Sequence, residues 1–273
     1  MTPDLSPEIL AYYTAHDEAN RLTNSWGQLE FVRTQEIVER YLPSSAVIYD
    51  VGGGSGPYSC WLAQKGYEVH LIEPVPLLLA QARQNSARQP ATPIASLTSG
   101  DARALPRENA SADVVLLFGP LYHLLERKQR IQALQEAQRV LRIGGVVFAA
   151  GISRFASALD GMVQGFAADP AFRAIVATDL AAGTHVNQTD NLSYFTTAYL
   201  HRPEELKAEI EAVGLQHQAT LPIEGPAWLL QNLPEQWEDP SRREMLLQTV
   251  RWLESEPSLI GASAHLMVIG LKQ

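Results

Sequence analysis

Short, mainly apolar runs alternate with longer stretches of helical periodicity along most of the chain. Ala46 to Tyr49, Val69 to Ile72, Ala112 to Phe118 and Val146 to Ile152 are the clearest runs, each short enough for a strand. A weaker one spans Ile94 to Leu97, and two more, Leu215 to Ile223 and Ala264 to Leu271, lie near the C-terminus. Between them, Leu29 to Leu42, Pro57 to Gln64, Leu77 to Ser86, Glu126 to Leu141 and Pro203 to Val213 place apolar residues at helical spacing. Pro43 stops the first of these helices, Gly66 suits a left-handed C-cap for the second, and Gly214 ends the last. Pro7 to Tyr13 reads as an earlier helix, and Arg142 to Gly145 as a turn before the fifth strand. The pattern lapses between Ser153 and Leu200, where two helices are expected, one carrying Phe155, Leu159, Met162, Val163 and Phe166, the other over 172–181. Trp228 to Trp237 and Arg242 to Leu253 add helical material.

The 273 residues are 46% hydrophobic and 19% charged, which suits one large α/β domain with a small cap. The formal net charge of −9 and the lack of any Lys/Arg cluster disfavour a nucleic-acid partner. No apolar run approaches the roughly 20 residues needed to span a bilayer, and no signal-peptide pattern is seen, so the expectation is a cytoplasmic protein without a membrane partner. A lone cysteine, Cys60, excludes an intrachain disulfide and a multi-Cys metal site, and no metal is expected. Cys60 and the mid-strand His70 read as packing residues.

Chemistry concentrates where the first strand ends. Asp50 is followed by Gly52, Gly53, Gly54 and Gly56, then Pro57 at the start of a helix. Strand, Gly-rich turn and helix open a mononucleotide-binding unit, because glycines permit the tight turn and let a ligand approach the backbone. A dinucleotide fingerprint would need its third glycine where Pro57 stands. The pattern Asp-x-Gly-x-Gly-x-Gly instead resembles motif I of the class I S-adenosylmethionine (SAM)-dependent methyltransferases. Glu73, closing the second strand about 20 residues beyond the first glycine, is placed to accept hydrogen bonds from ribose hydroxyls, with Pro74 beside it.

Further stretches extend the resemblance over about residues 30–152. Gly100-Asp101-Ala102 resembles the loop in which an acidic side chain accepts the adenine amino group and the following amide meets the ring. Asp101 in a purely local turn is the alternative. Phe118 runs into Gly119-Pro120-Leu121-Tyr122-His123-Leu124, which resembles a bacterial group of small-molecule methyltransferases. It departs from the Asn/Asp-Pro-Pro-Tyr tetrad, which argues against methylation of a nucleobase or glutamine amide. A helix ending before Gly144-Gly145 and an apolar strand is a further similarity.

The resemblance implies a seven-stranded, mostly parallel sheet with an antiparallel last strand. It divides the chain into an N-terminal helical lid (1–42), a SAM-binding core (43–152), a helical cap (153–200) and the rest of the core with added helices (201–273). It implies methyl transfer from SAM to an O, N or S atom of a small molecule, leaving S-adenosylhomocysteine. Tyr13, Arg21 or Arg33 would meet the methionine carboxylate, solvated surface being the alternative for each. Tyr122 and His123 are the candidate catalytic residues, and His185, Tyr194 and Phe195 the candidate substrate-pocket wall in the cap. Structural roles for the histidines stay open. So do a SAM-binding protein that transfers no methyl group and an NAD(P) oxidoreductase, though no Tyr-x-x-x-Lys catalytic set is seen. No oligomeric state is specified.

Overall fold

The computed structural model of the protein describes residues 18–189 and 191–273. Four apolar runs become the parallel centre of a sheet: β1 (Val47–Val51), β2 (Glu68–Ile72), β3 (Ser96–Thr98) and β4 (Ala112–Leu117), with β5 (Leu141–Ser153) beside β4. The strands lie in the order β3-β2-β1-β4-β5. Register pairs Asp50 with Leu71 of β2 and Leu116 of β4, so the C-terminal ends of β1, β2 and β4 form one rim.

Both faces are covered, which is why these strands read as mainly apolar runs rather than as an alternation. Tyr49, Val51, Val115 and Leu117 point to one face, against Ala133, Leu134, Ala137 and Val140. Ile48, Val114, Leu116 and Phe148 point to the other, against Ile37, Val38, Leu62 and Ala63. The helices supplying these layers are α1 (Ser25–Glu39), α2 (Pro57–Gln64), α3 (Pro76–Ala87), the short α4 (Pro120–His123) and α5 (Arg127–Val140). Pro57, Pro76 and Pro120 each open their helix, where the missing amide costs nothing.

The sheet is extended past β5 in two ways. β9 (His265–Lys272) runs antiparallel along β5, and β8 (Leu215–Pro222) pairs with β9. These are the seven predicted strands, with the expected antiparallel last strand. Two more were not predicted. β6 (Thr184–His185) and β7 (Ala198–His201) form a small hairpin, and β7 pairs parallel with the tip of β5 through Ile152↔Leu200 and Ser153↔His201. Strands of two and four residues are too short to show a period in sequence. The turn expected at Arg142–Gly145 is instead the irregular start of β5, where Gly144 adopts φ +80° and the register against β4 shifts between Ala112 and Val114.

The cap between β5 and β7 contains α6 (Ala156–Gln164) and α7 (Pro170–Ala182). Phe172, Ile175 and Tyr194 form its small core, with the Phe166 ring edge-on to Phe172 and Tyr194 at 5.5 and 5.2 Å. After α8 (Pro203–Ala212) and β8, α9 (Leu233–Glu238) and α10 (Pro240–Leu253) pack on α1 through Leu29, Leu233, Trp237, Leu247 and Val250. The C-terminal helices thus hold down the helix that carries the N-terminal segment. That segment enters as a 3-10 turn, Glu18–Thr23, and the helix expected over 7–13 lies outside the described residues.

Candidate active site

The turn after β1 is built to leave space. Gly54 has φ +58°, and a Cβ there would meet nothing within 4 Å. Gly52 has φ +69°, and a Cβ there would strike the Pro120 ring at 2.8 Å, so the Gly-rich turn and α4 can approach only without a side chain. Glu73, 3% exposed, fastens this turn from the neighbouring strand. Its carboxylate accepts the Gly54 amide at 2.9 Å and the Val75 amide at 2.8 Å.

Asp50 lies at the base of the turn and is 1% exposed. It accepts the Ser59 hydroxyl at 2.7 Å, and among the described residues no cation pairs with it. Burial pushes its carboxyl up to about 6. Asp101 behaves in the opposite way. Burial alone would raise it, but the hydrogen bonds and charge of Arg103 hold it below the usual carboxylate range. The Arg103 amide and Nε reach Asp101 Oδ1 at 2.8 and 3.0 Å.

These groups meet in one cavity of about 440 Å³ on the rim formed by the strand ends. Asp50, Gly52, Gly53, Gly54, Glu73, Pro74, Asp101, Ala102 and Phe118 line it, as do Arg21, Tyr122 and His123. Tyr58 packs on Phe118 at 5.0 Å and on Phe31 at 5.1 Å, giving one side an aromatic wall. Four lining carboxylates, Asp50, Glu73, Asp101 and Glu126, face the guanidinium groups of Arg21 and Arg103. An acidic, half-enclosed pocket of this composition favours a ligand that carries positive charge.

His123 sits on α4 with its ring 4.7 Å from that of Tyr122. Burial drives its imidazole down to about 4, against the opposing effect of a hydrogen bond with the Thr197 backbone. It is neutral at physiological pH. Thr197 also lines the cavity and is the point at which the cap reaches the rim.

Several predicted residues are placed elsewhere. Gly56 is absent from the lining, and its φ of +83° and close approach to Leu71, Ala82 and Ile94 make it a packing position where α2 meets the sheet. Arg33 is fully buried away from the cavity, donating from Nε to the Ile223 carbonyl at 3.2 Å and pairing with Glu36 and with Glu254 at 2.5 Å. It anchors α1 to the C-terminal segment. His185 is 2% exposed inside the cap, with Nδ1 2.9 Å from Asp179 and Nε2 2.7 Å from the Tyr194 carbonyl. Ser157 lies 3.4 Å from that same Nδ1, whereas a nucleophile relay needs serine and acid on opposite ring nitrogens. The Tyr194 hydroxyl donates to Asp169 at 2.8 Å, and Phe195, at φ +67°, accepts Asn187 Nδ2 at its carbonyl. These three side chains build the cap and do not line the cavity. Tyr13 lies outside the described residues.

Other lining residues went unpredicted. Tyr58, Arg103, Glu126, Gln129 and Thr197 all reach the cavity. Arg103 had a signal, since an arginine two residues after a turn aspartate can fold back on it. Thr197 had none, because its place depends on the unpredicted β6–β7 hairpin.

Residues 49–149 match the model of a family described as a methyltransferase domain. An uncharacterized methyltransferase of Mycobacterium tuberculosis is 30% identical over 111 residues, covering 40% of this chain and 42% of its own. The chain spans about half the length of the curated relatives it matches. Among solved structures, a SAM-dependent methyltransferase from Methanosarcina mazei aligns with a TM-score of 0.59 at 16% identity, covering 86% of this chain and 96% of the other. A Pyrococcus horikoshii protein aligns at 0.63 and 14%, covering 96% and 99%. The fold is that of the class I methyltransferases.

Proposed function

We propose that the protein is a SAM-dependent methyltransferase that methylates an O, N or S atom of a small molecule. One observation carries the reading. A single cavity at the strand ends is lined at once by the Gly-rich turn, by Glu73 and by Asp101-Ala102, three stretches far apart in sequence that suit the parts of a nucleoside amino acid. The donor set fits: Glu73 for the ribose hydroxyls, Asp101 for the adenine amino group, Arg21 for the carboxylate, and Asp50 for the positive charge of the amino acid end. The open space at Gly54 leaves room for the ligand against the backbone. When bound, SAM supplies an electrophilic methyl group on a sulfonium and leaves as S-adenosylhomocysteine.

The chain's own residues then have limited chemical work. The Gly-rich turn and the acidic lining orient the donor, while the Tyr58–Phe118 wall and the cap exclude water. Such orientation contributes roughly 7 to 11 kcal/mol in favourable cases. His123, neutral because it is buried, offers a nitrogen that can take a proton from the acceptor, and Tyr122 beside it is a further polar contact. A base held near 4 accepts protons weakly, so His123 suits an acceptor that loses its proton late in the transfer. The small lining and the net acidic charge favour a small-molecule acceptor over a nucleic acid.

The test is a calorimetric titration with SAM and S-adenosylhomocysteine, followed by a methyl-acceptor screen with labelled SAM. Micromolar binding together with turnover of at least one small acceptor supports the proposal. Binding without turnover across O, N and S acceptors favours a SAM-binding protein that transfers no methyl group.

A further inference from the structure

Behind Arg21, away from the cavity, lies a buried cluster that the cofactor reading does not use. Arg21 stands in the 3-10 turn over the cavity, and its guanidinium is held in a fork by Glu30 of α1, with Nη2 donating at 3.0 Å. His265, the first residue of β9, places Nδ1 2.6 Å from Glu224 Oε1 and 4.0 Å from Glu30 Oε2. Glu224 is 2% exposed. Its other oxygen accepts the Ser263 hydroxyl at 2.8 Å and the His265 amide at 3.0 Å. Among the described residues Tyr58 of α2 is the remaining titratable group that faces these acids, and its hydroxyl stays protonated because burial and Glu30 push it well above its ordinary value.

Burial opposes a charge on His265, but Glu224 and Glu30 overcome it and raise the imidazole to about 9. Among the described residues the cluster therefore brings the His265 imidazolium and the Arg21 guanidinium against the acidic side chains of Glu30 and Glu224. Ligand atoms of Glu30, Glu224 and His265 lie within 4.8 Å of one another, a spacing that a metal ion could also use. The 2.6 Å contact and the Arg21 fork on Glu30 favour a proton in that place.

We propose that His265 is a positioning residue for the cavity: as an imidazolium between Glu30 and Glu224 it lets Arg21 face the cavity and meet a ligand carboxylate. The proposal rests on the reading that the cavity takes the amino acid end of SAM. Without that cation, Glu30 and Glu224 confront each other and draw the Arg21 guanidinium back between them. Affinity for a carboxylate-bearing ligand then falls although no residue touching it has changed. The sign follows from the raised imidazole, since positioning is present at neutral pH and fades as pH rises through about 9.

The test is calorimetry of S-adenosylhomocysteine and of adenosine from pH 7 to pH 10 on the wild type, His265→Gln and His265→Lys. Adenosine lacks the carboxylate and reports everything except the Arg21 contact. The ligand's own amino group titrates identically against all three proteins. Relative to adenosine, the wild type should lose about tenfold more affinity for S-adenosylhomocysteine across pH 8 to 10 than His265→Gln does, a loss of one charge-assisted contact. His265→Gln should show the weakened state already at pH 8, with only the further drop that the ligand's amino group causes in every protein. His265→Lys, a cation over most of this range, should restore affinity. A wild-type loss relative to adenosine no larger than that of His265→Gln overturns the proposal. So does stoichiometric zinc binding to the wild type that Glu224→Gln abolishes. Failure of both ligands to bind at pH 7 would instead reject the cofactor reading on which it rests.

Discussion

Replacing Asp50 by Asn separates stability from function in opposite directions. Asp50 is 1% exposed, holds the Ser59 hydroxyl, and has no cationic partner among the described residues. Its carboxyl titrates at about 6 in the folded protein against 3.8 in the absence of burial. Between those two values the folded state binds the proton more tightly than the unfolded chain, so stability falls as pH rises. By pH 7 the ionised carboxylate costs about 3 kcal/mol. Asparagine removes that cost but exchanges a charged acceptor for a neutral one, which returns about 1 kcal/mol. Asp50→Asn should therefore stabilise the ligand-free protein at pH 7 by about 2 kcal/mol, a rise of about 5 °C in Tm for a chain of this size. The same change removes a negative charge from the cavity proposed to receive a cationic ligand, and SAM affinity should drop by about 10- to 100-fold, or about 1.4 to 2.8 kcal/mol. Differential scanning calorimetry without ligand and isothermal titration with SAM measure the two effects. A variant less stable than the wild type at pH 7, with unchanged SAM affinity, would refute the idea of a carboxylate held at a cost for its ligand.

Glu73→Gln keeps one oxygen for the Gly54 or Val75 amide but sets an amino group against the other. Its affinity for S-adenosylhomocysteine should fall about 100-fold, the worth of hydrogen bonds to a charged acceptor. Asp101→Ala should weaken the same ligand about 10- to 100-fold by removing a charged acceptor, and unchanged affinity in both carboxylate variants would end the assignment of the adenosine site. His123→Ala should leave that affinity within about threefold while lowering kcat by roughly 100-fold or more if the imidazole accepts the proton. Because burial holds His123 near 4, the wild-type rate should show no His123 limb between pH 6 and pH 8, and a limb near 6.5 would contradict its burial. The His265 imidazolium contributes stability that is complete below 6.5 and gone above about 9. With His265 a quarter exposed, the loss is about 2 kcal/mol, readable as a falling urea midpoint from pH 6 to pH 10 that His265→Gln abolishes.

The core of the fold was legible because burial on both faces writes itself as short, mainly apolar runs at β1, β2, β4 and β5. The Gly-rich turn, Glu73 and Asp101 were legible because each sits directly after a strand, where chain order fixes position. The cap was not. His185, Tyr194 and Phe195 form a polar and aromatic run that looks like a pocket wall, yet hydrogen bonds to Asp179, Asp169 and Asn187 turn the run into the cap's own framework. Composition could not tell a lining from a strut, because both need polar groups with fixed partners. Arg33 misled for a related reason. An arginine on an amphipathic helix near the N-terminus suggests a ligand contact, whereas its partners Glu254 and Ile223 lie about 200 residues away in sequence and emerge only from the packing of α1 against the C-terminal helices. The Arg21–Glu30–His265–Glu224 cluster had no local signature, since four separate stretches of the chain contribute one side chain each.

The central claim is that the cavity at the strand ends binds SAM. The most direct measurement is a parallel calorimetric titration of the purified protein with SAM, S-adenosylhomocysteine and NAD. Micromolar binding of the first two and none of NAD is the predicted result. Binding of NAD alone would contradict the account, because it would mean that the turn from Gly52 to Pro57 holds a pyrophosphate and that Glu73 serves a dinucleotide.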